Sequence, residues 1–165
     1  MMRTVIKWLG VGAIVISTGC PQAGSGDFTT YRDIPYADVS GVAANLLSLD
    51  IYTLSPKPEA PAPVLIWVHG GGWSIGDKSY HMEYKPALFT GEGYCLVSIN
   101  YRLSPRPFSD DPGRIKYPVH EQDVASAIAW VQEHIAQYGG DPSRIALLGH
   151  SAGAHLVSIV STDES

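Results

Sequence analysis

The chain has 165 residues, with 16 acidic side chains against 11 Lys and Arg, a formal net charge of −5 and six histidines. An acidic balance with scattered cations leaves no basic footprint for a nucleic-acid partner. The length suits one domain able to bury a core. Two cysteines make no disulfide framework, and neither H-E-x-x-H nor C-x-x-C occurs, so no metal is expected.

The N-terminus reads as an export segment. Arg3 and Lys7 precede an apolar core, Trp8–Ile16, of secretory length and too short to span a bilayer. Ser17-Thr18-Gly19-Cys20 then resembles a lipobox, with Ser17 departing from the apolar residue usual there. Residues 1–26 are therefore read as a lipoprotein-type signal peptide and tether, with Cys20 as the lipidated residue. That predicts a periplasmic or cell-envelope protein touching membrane only through this anchor. Cys95 is then the single cysteine of the folded part, residues 27–165, and its apolar surroundings predict an inert core thiol.

The remaining elements alternate between strand and helix patterns. Leu46–Thr53 alternates as an antiparallel strand should, with a weaker partner near Ile34–Val39. Ser55–Pro63 carries four prolines and predicts a loop; Pro63–Val68 predicts a buried strand. A helix is expected within Lys78–Thr90 and another strand over Gly93–Tyr101. Arg102–Pro118, rich in Pro and Asp, predicts an irregular rim to a substrate site. Val124, Ile128, Val131 and Ile135 form one stripe of an amphipathic helix over Val119–Tyr138, ended by Gly139-Gly140. Ser143–Leu148 suits a last strand and Ala152–Val160 a last helix. This alternation argues for α/β class.

Two glycine motifs carry chemistry. Gly149-His150-Ser151-Ala152-Gly153 joins the last strand to the last helix and fits a nucleophile elbow, G-x-S-x-G. A serine hydroxyl is a weak nucleophile and must meet a base and an oxyanion site together. His69-Gly70-Gly71-Gly72-Trp73 follows the Pro63–Val68 strand and fits the loop whose amides face a developing oxyanion. The expected donors are the amides of Gly71, Gly72 and Ala152. Neither a P-loop lysine nor G-x-G-x-x-G spacing accompanies these glycines, which argues against a nucleotide loop. His69, closing a strand, is expected to hold the loop rather than to react. His155, one helical turn past Ser151, is expected on the packing side. His81, His120 and His134 are expected in solvated or capping roles, and Asp123 near the positive end of its helix dipole. Asp163, beside the chain end, is given no role. No acid or base of a triad is assigned.

The ordered series His69–Trp73, Asn100–Pro105, Asp141–Ile145 and Gly149–Leu156 resembles the α/β-hydrolase esterases of the carboxylesterase and hormone-sensitive-lipase-like group. The Ser151–Leu156 ending is similar to the kynurenine formamidase and feruloyl-esterase-like branch. The resemblance covers roughly residues 45 to 160 and implies a mostly parallel sheet with flanking helices. It also implies Ser151 as nucleophile, the His69 loop as oxyanion hole, and ester hydrolysis through an acyl-enzyme without metal or organic cofactor. The family's acid and histidine lie beyond the span matched, so the expectation is the N-terminal portion of such a domain, truncated after the elbow. The expected partner is a small-molecule ester, with Trp73 shaping its pocket; oligomeric state is left open. Two alternatives stand beside the esterase: an inactive hydrolase-derived lipoprotein or binding module, and an amidase, arylformamidase or peptidase.

Overall fold

The computed structural model describes residues 27–104 and 114–162. The expected export leader with Cys20, the stretch 105–113 of the expected rim, and Asp163 lie outside the described residues. Five strands form one sheet: β1 (Phe28–Pro35), β2 (Ser48–Leu54), β3 (Ala62–Val68), β4 (Cys95–Ile99) and β5 (Gly140–Gly149), in the order β1-β2-β4-β3-β5. β3 pairs in parallel with both β4 and β5, while β2 runs antiparallel to β1 and β4. Four strands thus share one direction and β2 opposes them.

Helices cover both faces. α2 (Val119–His134) and α3 (Ala152–Thr162) lie on one face, and α1 (Lys85–Gly91) on the other. The larger core joins Ile51, Val64, Ile66, Val68, Val97 and Ile99 to Val124, Val131, Ile135 and Leu156. The predicted stripe of α2 therefore points inward, with Ile128 half-buried at its edge. One 3₁₀ turn, Ile135–Tyr138, ends this helix, and Gly139 leaves it at φ 94°. Cys95 is fully buried, and burial pushes its thiol up to about 12, as a core cysteine requires.

Three features depart from expectation beyond small shifts at element ends. The first strand runs over Phe28–Pro35 rather than 34–39, because a bulge between Tyr31 and Ile34 resets its register on β2. Asp33 sits in that bulge at φ 54° and donates its N–H to Asp50 Oδ1 at 2.8 Å. β2 is buried on both faces rather than alternating, since its polar face is paired. Asp50, only 1% exposed, receives Lys78 Nζ at 3.1 Å, and Lys78 also reaches Asp33 at 2.6 Å.

The third difference is the helix expected within 78–90, which begins only at Lys85. Lys78 is committed elsewhere: its N–H donates to Asn100 Oδ1 at 2.5 Å and its carbonyl accepts from Ser98 Oγ at 2.6 Å. His81 then takes φ 56°, which interrupts any helix. Among the described residues β5 pairs on one side alone, with Ala146 exposed and Leu147 and Leu148 half-buried.

Candidate active site

β5 ends at Gly149 and α3 starts at Ala152, leaving His150 and Ser151 to make the turn. Ser151 takes φ 53°, a left-handed conformation costly for a side chain other than glycine's. That strain is held by neighbours. His150 N–H donates to Val68 O at 3.3 Å, Gly153 N–H to His150 O at 2.9 Å, and His155 N–H to Ser151 O at 3.1 Å. A Cβ on Gly149 would lie 2.6 Å from the amide of Ala154, so the strand passes directly under the helix start. Ser151 is exposed, and its hydroxyl has no hydrogen-bond partner among the described residues.

The glycine loop after β3 lies against this turn. A Cβ on Gly70 would stand 3.1 Å from Ser151 Cβ and 2.8 Å from His150 O. Gly71 and Gly72 follow at φ 117° and 59°. A Cβ on Gly71 would lie 2.7 Å from the carbonyl carbon of Ile75 and closer still to its oxygen. Among the described residues, no protein acceptor takes the amides of Gly71, Gly72 or Ala152. These free donors lie on the two segments that meet at Ser151.

His69 is 2% exposed. Its Nδ1 lies 2.7 Å from Gly70 O, so that nitrogen carries the proton, and its ring stacks on Tyr101 at 4.5 Å. Tyr101 O–H donates to His69 O at 3.0 Å. Sequence reasoning passed over Gly76, which stands at φ 116° where a Cβ would lie 2.6 Å from Gly70 O. A glycine just past a glycine motif was the available signal. It also left Asn100 and Arg102 without roles. Asn100 ties Asp77 and Lys78 to the end of β4, while Arg102 Nε and Nη2 grip both oxygens of Asp123.

Asp123 therefore serves an ion pair rather than the helix dipole alone, because α2 turns it inward, 3% exposed. Two histidines also differ from expectation. His155 is exposed and meets the Trp73 ring edge-on at 5.3 Å, because Ala152, Gly153 and Leu156 take the packing side of α3. His120 is 5% exposed rather than solvated, tucked against Tyr101 with its ring Nε2 unpartnered. Trp73, at φ 59° and half-buried, accepts Ser104 N–H on its carbonyl at 2.7 Å. Its ring walls a cavity of about 290 Å³ that His120 and His155 also line.

Burial holds His69 and His120 below the ordinary histidine value of 6.5. The unfolded chain thus binds protons near that pH that the native chain refuses. Stability from the neutral rings is present above 6.5 and is lost as pH falls through the lower native values. We expect the urea midpoint to drop between about pH 7 and pH 5, and His120→Phe to lessen the drop. An unchanged slope in that variant would assign the effect to other groups.

The chain resembles known proteins over most of its length. The family described as BD-FAE matches residues 49–165. Esterase LipQ of Mycobacterium tuberculosis is 44% identical over 128 residues, covering 77% of this chain and 28% of the relative. The probable carboxylic ester hydrolase LipM of the same organism is 42% identical over 135 residues, covering 78% and 29%. Esterase B from Lactobacillus rhamnosis superposes with a TM-score of 0.69 at 27% identity, covering 82% of this chain and 39% of that one. The chain thus spans under a third of the length of these curated relatives.

Proposed function

This chain belongs to the BD-FAE family, with an α/β-hydrolase fold, and we propose that it acts in carboxylic ester hydrolysis through an acyl-enzyme on Ser151. The observation that carries the reading is the juxtaposition at the elbow: a strained, exposed serine with unpaired amides on both segments beside it. Ser151 Oγ attacks the ester carbonyl carbon, forming a C–O bond and moving negative charge to the carbonyl oxygen. The amides of Gly71, Gly72 and Ala152 receive that charge, as donors set before reaction. Collapse expels the alcohol and leaves the acyl group on Ser151, for water to release. The serine proton passes to a histidine oriented by an acid; no side chain among the described residues hydrogen-bonds Ser151 Oγ.

The test is covalent labelling of the chain by an alkyl fluorophosphonate, followed by peptide mapping. Label on Ser151 supports the reading; label elsewhere, or none, sinks it. We further propose that residues 1–26 export the protein and that Cys20 anchors it to the envelope. The supports are the Arg3 and Lys7 charges, the Trp8–Ile16 core and Gly19 before Cys20. Radiolabelled palmitate should enter the protein in a bacterial host and be lost in Cys20→Ala. Incorporation persisting in that variant would remove the anchor.

A further inference from the structure

We propose that Asn100 is a positioning residue for ester hydrolysis: it clamps the return limb of the glycine loop and so sets where the Gly71 and Gly72 amides stand. As an aid to catalysis this rests on Ser151 being the nucleophile. The loop leaves β3 at His69 and doubles back on itself. Ser74 N–H and Ile75 N–H both donate to Gly71 O at 3.1 Å, and a Cβ on Gly76 would stand 2.6 Å from Gly70 O. Gly70 and Gly71 therefore rest on the limb that returns through Ile75 and Gly76, and in packing this close they shift when it shifts. Asp77 and Lys78 end that limb.

Asn100 holds both residues. Its Oδ1 accepts Lys78 N–H at 2.5 Å, and its Nδ2 donates to Asp77 Oδ2 at 3.0 Å and to Asn45 O at 2.8 Å. Those partners fix the orientation of the amide, since a backbone N–H only donates and carbonyl and carboxylate oxygens only accept. Burial pushes the Asp77 carboxyl up, but the Asn100 amide and Ser79 outweigh it and hold the group below its ordinary value. Asp77 thus meets Asn100 as a carboxylate, in a charge-assisted bond. Asn100 is itself anchored just past β4. It is 2% exposed, donates its N–H to Ser48 O at 2.9 Å and accepts Tyr36 O–H on its carbonyl at 2.8 Å. The next residue, Tyr101, donates its hydroxyl to His69 O at 3.0 Å, where the loop begins. Two consecutive residues after β4 thus hold both ends of the segment that carries the oxyanion donors.

Asn100→Asp tests the clamp on the full chain. It keeps the acceptor for Lys78 N–H, loses both donors and sets a second carboxylate against Asp77. Hydrogen exchange followed by NMR reads the Ile75 amide inside the loop and, as a control, the Gly153 amide bonded to His150 O at the elbow. Ile75 exchange is expected to rise at least about tenfold, as the loss of a hydrogen bond to a charged group implies, while Gly153 stays within about twofold. Fluorophosphonate labelling of Ser151 should slow at least about tenfold, because small displacements at a reacting centre are costly. Adding Asp77→Asn removes the repulsion and returns a donor to the pair, so both effects should largely revert. If Asn100→Asp fails to fold, Asp77→Ala, at a half-buried position, severs the same bond and should show the same contrast. Equal acceleration at Ile75 and Gly153, none at Ile75, or no recovery with Asp77→Asn overturns the clamp. Label on Ser151 at the parent rate in Asn100→Asp removes the positioning role and leaves the nucleophile. A parent chain that takes no label yet shows the Ile75 contrast removes the nucleophile and leaves Asn100 as a clamp on the loop alone.

Discussion

Ser151→Ala is expected to abolish fluorophosphonate labelling while leaving the fold intact. The serine side chain is exposed and makes no hydrogen bond among the described residues, so its loss should change stability by no more than about 0.5 kcal/mol. Alanine inherits the same left-handed backbone, hence about the same strain. The chemical effect is large for a different reason: the hydroxyl is the one atom that becomes covalently bonded. In a complete serine hydrolase, removing the nucleophile costs on the order of 10⁶ in kcat. Turnover is a weaker readout than labelling, because an oxyanion site and binding alone can sustain about 10³–10⁴-fold catalysis over water. A p-nitrophenyl ester assay therefore has to compare the chain with Ser151→Ala directly. Equal rates would show that no turnover passes through this serine.

Gly153→Ala should be among the most disruptive single methyls at the site, costing about 3 kcal/mol of stability. An added Cβ would lie 2.5 Å from His69 O and 2.7 Å from the Val68 carbonyl carbon, with the Val68 oxygen closer still. These are backbone atoms at the end of β3. They cannot rotate aside as a flexible side chain could. α3 would have to lift from the sheet, carrying Ser151 away from the glycine loop. Gly72→Ala is the useful contrast: nothing lies within 4 Å of a Cβ there, though φ is 59°. Only the backbone cost of about 1–2 kcal/mol applies. Urea denaturation measures both. A Gly153→Ala midpoint close to the parent's would mean that the helix start is looser than this packing requires.

Much of the frame was legible because it is written in local patterns. The apolar runs at 63–68 and 93–101 became β3 and β4, and the stripe from Val124 to Ile135 became the buried face of α2. The Lys78–Met82 stretch misled because a helical composition was overruled by distant partners. Asn100 and Ser98 take the Lys78 backbone, and Asp33 and Asp50 take its ammonium. Arg102 and Asp123 tell the same story, 21 residues apart in sequence yet forming a bidentate pair. His155 was misplaced because helical spacing gives an angle around α3 but not the neighbour waiting there, which is Trp73 from another loop.

The sequence alone therefore determined the class of fold, the elbow and the glycine loop, since these depend on short-range periodicity and on residues small enough for tight turns. What it could not decide is how the two loops meet. Tertiary structure decided that, by running β3 between β4 and β5 so that the loop after β3 opens beside the turn after β5. The same packing buried His120 and set it with Glu121 around one cavity. Such pairings are set by chain topology and by burial, which act between residues far apart in sequence.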